Sequence, residues 1–264
     1  MRAPQPVSVV IPCMDKPMAH VVARYFASLP RSVVREVVWV RFLSTSAPPH
    51  PAGPGAAPAR LREVLVEDQP RFNKPVAANI GAFHARPGPL LFCDADTFVL
   101  PRYLRRWSLL LRRDEGTFIH PRRLIESATG AIRAAPGILA VMRHRFAAVE
   151  GYSSEFRGWG LEDRDILARL ALGGGRGLAS GWALHLSHGE AERVRHYGGR
   201  PREETRAENR RLFERRMERA ERFGTYTRDV GRFSFRTGPG GVVVASARRS
   251  DAAAPSPHTP PGDS

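Results

Sequence analysis

The amino-acid sequence predicts an α/β fold in which helices flank a mostly parallel central sheet. Two observations carry this prediction. Short apolar runs alternate with helical segments through residues 7–93, and the runs are hydrophobic throughout, as expected for strands that are buried on both faces. With 264 residues, the chain is long enough to bury the core of one large domain.

The elements of the first half follow from apolar periodicity and from the turn residues at their ends. We predict that the first strand ends in a turn at Pro12, and that Pro75 stands in the first turn of a helix. Residues 47–59 are rich in Pro, Gly and Ala and have no hydrophobic period, so we expect a loop there. The predicted strands cover residues 7–11, 33–43, 61–66 and 89–93, and the predicted helices cover residues 18–29 and 75–85.

The second half is less regular. Ile166, Leu167 and Leu170 share one face of a helix predicted over residues 162–172, and Gly173 supplies the left-handed residue that ends it. Residues 201–223 predict a charged helix that is solvated or faces a partner. Further strands are predicted over residues 132–133, 139–142 and 182–186.

Three segments of different composition follow from this pattern. We expect a main α/β domain over residues 1–200, a charged helix with an extension over residues 201–249, and a disordered tail over residues 250–264. The tail is predicted to be disordered because it has almost no bulky apolar side chains.

The chain is strongly basic, with 41 Lys and Arg against 26 Asp and Glu, and a formal net charge of +15. This charge suits a nucleic acid, an anionic membrane surface or a phosphorylated substrate, and it cannot by itself choose among them. The apolar run at residues 7–11 is too short to span a membrane and lacks a signal-peptide cleavage site, so we expect a cytoplasmic protein. Cys13 and Cys93 lack the paired spacing of a zinc site, and we expect buried, reduced thiols.

Two acids, Asp94 and Asp96, directly follow the apolar run 89–93. In open α/β sheets, ligands bind beyond the carboxyl ends of the strands. Two carboxylates there suit Mg²⁺ or Mn²⁺ that bridges a diphosphate. The alternative is an Asp-rich turn that caps the next helix.

A second motif is Gly158-Trp159-Gly160-Leu161-Glu162-Asp163. The glycines allow tight backbone turns around an aromatic side chain, whose face is a platform for a sugar ring. A neighbouring carboxylate can remove the proton from an attacking hydroxyl. The alternative is a helix-entry turn with a buried Trp and acids that the helix dipole favours.

The two motifs, in this order and about 60 residues apart, resemble the inverting glycosyltransferases of the GT-A fold, which is Rossmann-like. The pattern is most similar to β1,4-galactosyltransferases and to bacterial chondroitin-polymerase-like enzymes of family 2, which are hexosyltransferases. Further segments agree with this resemblance over residues 7–190. They are Val9-Val10-Ile11-Pro12, Phe72-Asn73-Lys74, Asn79-Ile80-Gly81, Gly151-Tyr152 and Glu155-Phe156.

The resemblance implies roles for individual residues. Asp163, or alternatively Glu162, would be the general base, and Asp96 would bind Mn²⁺ (or Mg²⁺) directly. The third metal ligand would be His185 or His188, with His188 preferred. The residues implied for donor or acceptor binding are Pro12, Arg71, Asn73, Lys74, Asn79, Asp94, Trp159 and Gly160.

The expected activity is metal-dependent, inverting transfer of a sugar from a nucleotide-diphosphate donor to the hydroxyl of a carbohydrate or other acceptor, in polysaccharide biosynthesis. A UDP-sugar is the expected donor, although the acid that reads uracil in the family is replaced by Leu43-Ser44-Thr45-Ser46. We expect no nucleic-acid partner, and peripheral association with a membrane through the basic surface. The alternatives are a retaining enzyme, a non-catalytic nucleotide-sugar-binding homologue, and a nucleic-acid or membrane-surface binding module that uses the charged helix.

The resemblance also implies that the strands containing Cys13 and Cys93 are parallel neighbours. Both cysteines then lie near the carboxyl ends of their strands. Adjacent strands of a sheet are about 4.8 Å apart. We expect the two residues to lie close together without forming a disulfide, because adjacent parallel strands rarely allow the required torsion.

Overall fold

The fold is known from a computed structural model that describes residues 5–14, 16, 18–43, 60–67, 69, 71–134, 137–187 and 200–248. The predicted loop at 47–59 and the predicted tail at 250–264 lie outside these residues. Within them, the strands are β1 (Val7–Met14), β2 (Val34–Phe42), β3 (Leu61–Val66), β4 (Pro89–Phe92), β5 (Thr97–Val99), β6 (Thr117–His120), β7 (Arg123–Glu126), β8 (Ile132–Arg133), β9 (Leu139–Met142), β10 (Arg176–Ala179), β11 (Trp182–His185), β12 (Phe233–Thr237) and β13 (Val243–Ala247).

A large mixed sheet forms the centre of the described chain, with the strand order β10-β6-β9-β4-β1-β2-β3-β13-β12. The run from β4 to β13 is parallel throughout, and β10 is parallel to β6. Strand β9 is antiparallel to both of its neighbours, and β12 is antiparallel to β13. The prediction of an α/β fold with a mostly parallel sheet is therefore confirmed.

A second, smaller sheet has the order β5-β11-β7-β8. Its pairing places His185 of β11 opposite Thr97 of β5 on one side and opposite Glu126 of β7 on the other. Asp96 directly precedes β5. The small sheet thus joins three chemically active residues that are far apart in sequence.

Helices cover both faces of the large sheet, and within the described residues they are α1 (Ala19–Ser28), α2 (Lys74–His84), α3 (Pro101–Arg113), α4 (Arg143–Ala148), α5 (Glu162–Leu172), α6 (Arg202–Glu218) and α7 (Tyr226–Gly231). One core cluster joins Val9 of β1 to Phe26 of α1 and Trp107 of α3. The other joins Val10 of β1 to side chains of α2 and α5. Neighbouring residues of β1 are therefore buried on opposite faces, which explains its unbroken hydrophobic sequence.

Two local predictions were wrong. Pro12 does not end the first strand, which continues to Met14. The pairing of β1 with β4 stops at Val10, so no backbone N–H is required at Pro12 on the side that faces β4. Gly173 has φ −78° and is not left-handed. The left-handed residue is Gly174, at φ +80°, and its N–H donates to Ala171 O.

The C-terminal segment contains more than the predicted charged helix. After α6 and α7, β13 pairs in parallel with β3 and extends the large sheet beyond its first-half strands. The segment that follows residue 200 is thus hydrogen-bonded into the same sheet as β1.

The predicted neighbourhood of the two cysteine-bearing strands is confirmed, since β1 and β4 pair in parallel. Cys13 and Cys93 are both buried and are not joined by a disulfide. Trp39 Nε1 donates to Cys13 Sγ at 3.0 Å, and Cys93 Sγ donates to Thr97 O at 3.3 Å.

No helix within the described residues combines the length and the apolar character that crossing a membrane would require.

Candidate active site

A cavity of about 530 Å³ opens where β1 and β4 end and where α5 begins. It lies beyond the carboxyl ends of parallel strands, which is where open α/β sheets bind their ligands. The structure gathers most of the predicted site residues here. The cavity-lining residues among them are Pro12, Lys74, Asp94, Asp96, Trp159, Gly160, Glu162, Asp163 and His185.

Lys74 stands at the centre of three carboxylates. It is the first residue of α2, whose start is capped by Asn73 through a 3.1 Å bond that its side chain accepts from Val76 N. The Lys74 ammonium lies 2.8 Å from Asp94 Oδ1. It also lies 3.1 and 3.0 Å from the two carboxylate oxygens of Asp163, and 3.6 Å from Glu162 Oε1.

Three acids around one lysine leave an excess of negative charge in a poorly solvated place. Burial raises the pKa of Asp163 well above its usual range; Lys74 opposes the increase, while Glu162 and Asp94 add to it. Burial alone would lower the pKa of Lys74, but the charges of the same three acids outweigh it and raise that pKa. Lys74 therefore stays charged, while Asp163 has an increased affinity for a proton.

The second acid of the pair, Asp96, belongs to a different group of side chains. It is buried, it forms an ion pair with Lys16, and Thr97 Oγ1 donates to its Oδ1 at 3.2 Å. His185 Nε2 lies 3.5 Å from Asp96 Oδ1, while His185 Nδ1 lies 2.7 Å from Glu126 Oε2. The imidazole is thus held between two carboxylates.

These contacts shift the pKa of His185 and the pKa of Glu126. Burial opposes protonation of His185, but hydrogen bonds and charge from Asp96 and Glu126 outweigh it and raise the pKa of the imidazole. Burial likewise opposes ionisation of Glu126, but hydrogen bonds from Arg133, His185 and Ser187 lower its pKa to about 2. Glu126 is therefore ionised at neutral pH and fixes a proton on His185 Nδ1.

The Asp96 and His185 pair fits two ligands of a divalent metal. With its proton on Nδ1 bound to a carboxylate, the imidazole turns Nε2 toward Asp96, which is the orientation of metal-binding histidines. One carboxylate oxygen and one imidazole nitrogen suit Mn²⁺. Among the described residues, no group of three or more His, Cys, Asp or Glu side chains could hold a metal ion. The preferred third ligand, His188, lies outside these residues.

The backbone around Trp159 is strongly turned. Gly158, Gly160 and Leu161 have φ values of +74°, +97° and +72°, a region that glycine enters without strain and leucine rarely adopts. Leu161 precedes the first residue of α5, so the turn delivers Glu162 and Asp163 to the cavity from the start of a helix. Trp159 is half-buried and lines the cavity. It is therefore not the fully buried Trp expected if the motif were only a helix-entry turn.

Helix α6 holds this turn in place. Asn209 Nδ2 donates to the carbonyls of Arg157 and Gly160, at 3.0 and 2.8 Å. Trp159 N donates to Thr205 Oγ1 at 3.3 Å. A Cβ atom on Gly158 would lie 2.6 Å from Thr205 Cβ, so only glycine allows α6 to approach this closely.

A buried ionic network also joins α6 to α5. Asp165 accepts from Arg169 Nε at 2.8 Å and from Arg216 Nε at 3.0 Å. All three residues are almost completely buried, and buried charges require such partners. The charged helix is therefore not simply solvated: it packs on the helix that carries Asp163.

The structure does not bring every predicted residue into the cavity. Arg71 is exposed and does not line it. Asn73 caps α2 and donates to Ser154 O at 3.0 Å. Asn79 is completely buried, where it bonds the backbone of Tyr152 in both directions and donates to Asp229 Oδ2. The side-chain amides of Asn73 and Asn79 thus bind other parts of the protein. The predicted contacts of these two residues with the sugar donor are not supported.

Several residues of the site were not predicted from the sequence. Lys16 follows the first strand, and Glu126 reaches His185 only through the pairing of β7 with β11. Arg202, Arg206 and Arg210 of α6 also line the cavity. The spacing of these arginines by four residues was a usable signal, because it places them on one face of a helix.

Comparisons with known proteins agree with this architecture. Residues 129–200, less than half of the chain, match the family described as the N-terminal domain of galactosyltransferase. This segment includes the Trp159 turn and His185. No curated protein matches the chain.

The solved structures that share the fold include the following two. The crystal structure of GalNAc-T7 with UDP, GalNAc and Mn²⁺ superposes with a TM-score of 0.59 and 17% identity, over 75% of this chain and 45% of that one. Mannosyltransferase PcManGT from Pyrobaculum calidifontis, in complex with GDP-Man and Mn²⁺, superposes with a TM-score of 0.53 and 15% identity, over 88% of this chain and 75% of that one. The chain thus spans less than half the length of the first of these proteins. It has the GT-A fold of nucleotide-sugar transferases.

Proposed function

We propose that the chain is a glycosyltransferase that moves a sugar from a nucleoside-diphosphate donor to an acceptor hydroxyl, with inversion at the anomeric carbon. The observation that carries the proposal is the position of Asp163, which lines one cavity with Trp159 and with the Asp96 and His185 pair. The galactosyltransferase match over residues 129–200 supports the same reaction class, as do the nucleotide ligands in the two similar structures.

Asp163 is the general base of the proposed reaction. It takes the proton of the acceptor hydroxyl, whose oxygen forms a bond to the anomeric carbon. The bond from that carbon to the diphosphate oxygen breaks, and its electron pair leaves with the nucleoside diphosphate. Attack from the side opposite the leaving group inverts the configuration. The raised pKa of Asp163 makes it a stronger base, because burial and nearby acids favour its protonated form.

Asp96 and His185 would hold a divalent metal, with His188 as the third protein ligand. When bound, the metal neutralises the charge that develops on the departing diphosphate. Glu126 fixes the His185 ring by accepting from Nδ1, and Trp159 offers an aromatic face beside the base for a sugar ring.

The donor base and the setting of the reaction remain predictions. UDP is the nucleotide bound in one similar structure and a GDP-sugar in the other, so the donor test must include both. The resemblance to family-2 enzymes, a cytoplasmic location, a role in polysaccharide biosynthesis and membrane association through the basic surface are likewise proposals.

The test is a panel of UDP- and GDP-sugars, each incubated with the protein and Mn²⁺. We expect one of them to raise the thermal unfolding temperature and to be hydrolysed slowly, with both effects lost on chelation. Asp163→Asn should keep the thermal shift and lose the hydrolysis. A chain that responds to no nucleotide sugar, but is stabilised by duplex DNA in a salt-sensitive way, would contradict the proposal.

A further inference from the structure

The first turns of α6 present a row of arginines to the cavity. Arg202, Arg206 and Arg210 are spaced by four residues, and all three line it. The adjacent face of the helix is turned to the protein, because Thr205 and Asn209 are buried and bonded to the Trp159 turn. These bonds fix the rotation of α6 about its axis. The contacts of Thr205 and Asn209 therefore fix which side of α6 the arginines occupy.

Some arginines elsewhere on this segment are used in ion pairs. Arg216 binds Asp165, and the half-buried Arg200 binds both Glu204 and Glu208. Arg206 and Arg210 form no ion pair within the described part of the chain, although both line a cavity that contains acids. Both are exposed, so their guanidinium groups are available to a ligand.

Four acids of the cavity already have a lysine as cationic partner. Lys74 serves Asp94, Glu162 and Asp163, and Lys16 serves Asp96. Arg206 and Arg210 form no ion pair with any of these four acids, and among the described residues seven Lys and Arg side chains line the cavity against five Asp and Glu. Charge of this kind at the mouth of a cavity attracts anions.

Trp159 organises the start of the row. The guanidinium carbon of Arg202 lies 3.6 Å from the centroid of the indole ring, and that of Arg206 lies 5.5 Å from it. Cation–π contacts of this length hold the guanidinium groups against the ring. A planar guanidinium group that is held in place suits a phosphate or a carboxylate, because it offers two parallel N–H donors.

The position of the row favours the acceptor over the donor. Of the proposed metal ligands, His185 lies in the small sheet and Asp96 directly precedes it, so a diphosphate bound to the metal would lie on that side of the cavity. The arginines instead flank Trp159, in the turn that leads into Asp163. An acceptor whose hydroxyl contacts Asp163 would therefore lie beside this turn.

We propose that Arg206 and Arg210, with Arg202 stacked on Trp159, form a subsite for a negatively charged acceptor. The recognised group is an oxyanion, a phosphate or a carboxylate, near the hydroxyl that receives the sugar. This inference rests on the proposed transferase function and names the acceptor class for it.

The experiment compares two double variants that remove the same charge from the same helix. Arg206→Gln with Arg210→Gln changes the cavity, and Arg211→Gln with Arg215→Gln is the control, since neither of those exposed residues lines it. Calorimetry with Mn²⁺ and UDP or GDP present measures binding of glucose 6-phosphate against glucose, and of 4-nitrophenyl glucuronide against 4-nitrophenyl glucoside. The affinity for UDP and GDP is measured separately for each variant.

We expect the wild-type chain to bind at least one anionic probe about tenfold more tightly than its neutral partner, which is the scale of one charge-assisted hydrogen bond. The cavity variant should lose this preference, the control should keep it, and the nucleotide affinity should not change. The preferred probe tells phosphate from carboxylate.

Three outcomes would overturn the subsite. They are an absent preference in the wild-type chain, an equal loss in both variants, and a loss of nucleotide affinity confined to the cavity variant, which would assign the row to the donor. If neither nucleotide binds but the anion preference depends on the row, the transferase proposal fails and the anionic subsite stands.

Discussion

Asp94 and Asp96 are two residues apart, yet they belong to two different kinds of charged cluster. Asp94 faces Lys74, a cation that the protein itself supplies and that also holds Glu162 and Asp163. Asp96 faces His185, whose far nitrogen is fixed by Glu126. One bend after β4 therefore connects a cluster around a built-in ammonium to a pair suited to an exchangeable metal ion.

One short motif can thus contribute to two clusters with different functions. The Lys74 cluster holds acids close together without any ion from solution, and burial together with the excess of acids raises the pKa of Asp163, the proposed base. The Asp96 cluster also has an ammonium, that of Lys16, but it contains in addition an imidazole turned for ligation. Loss of metal should therefore affect the two clusters unequally.

The largest expected effect is the loss of metal-dependent donor binding in Asp96→Ala. Calorimetry with Mn²⁺ and the nucleotide that binds the wild-type chain should detect no metal-dependent binding in this variant, because one of the two described ligands is gone. Asp94→Ala should still bind the metal, since Asp94 faces Lys74. Equal losses in the two variants would break the proposed division of tasks.

The next effect concerns the base. Asp163→Asn should decrease turnover by about 10²–10⁴-fold, the usual range for loss of a general base, while donor affinity changes little. Initial rates and nucleotide titrations separate the two quantities. Glu162→Gln is the matched control and should be milder. If Glu162→Gln is the more damaging substitution, the two acids exchange roles.

A smaller effect on stability tells the two lysines apart. Lys74→Met leaves three neighbouring acids without their cation and should decrease the free energy of unfolding by about 3 kcal/mol, as expected when a buried pair loses one partner. Lys16 is more exposed, at 24% of its side chain, so Lys16→Met should cost less than about 1 kcal/mol. Urea unfolding measures both. Similar losses would show that the Asp96 cluster depends equally on a fixed ammonium.

The smallest effect is a dependence on pH. Because the pKa of Asp163 is raised in the folded chain, its ionisation disfavours folding, and stability is lost as the pH rises through the raised pKa. Asp163→Asn stays neutral, so it should be more stable than the wild type at neutral pH. The advantage should vanish at a pH below the usual range of aspartate. Thermal unfolding at several pH values tests this, and an advantage that grows toward low pH would contradict it.

The sequence was most informative where a signal is local. The apolar run before Asp94 places the two acids at a strand end, and the bounds of α5 and of β9 were predicted to the residue. Helix α3 also has a local signal, with Leu104, Trp107 and Leu111 buried on one face, but the arginines between them obscure it.

Contacts between distant segments could not be predicted in the same way. Glu126 reaches His185 through a strand pairing across 59 residues, and no local pattern announces such a pairing. Asn79 shows the opposite failure. A buried amide that binds backbone and an amide that binds a ligand are identical in sequence, and only its complete burial identifies its structural use.

The pairing of β13 with β3 has a consequence for solubility. In a chain shortened before β13, strand β3 would become the border of the large sheet and would expose backbone N–H and C=O groups along its length. Such an exposed border is a template for pairing with a second chain. The C-terminal strands thus protect the sheet against self-association, in addition to the contact that α6 makes with the Trp159 turn.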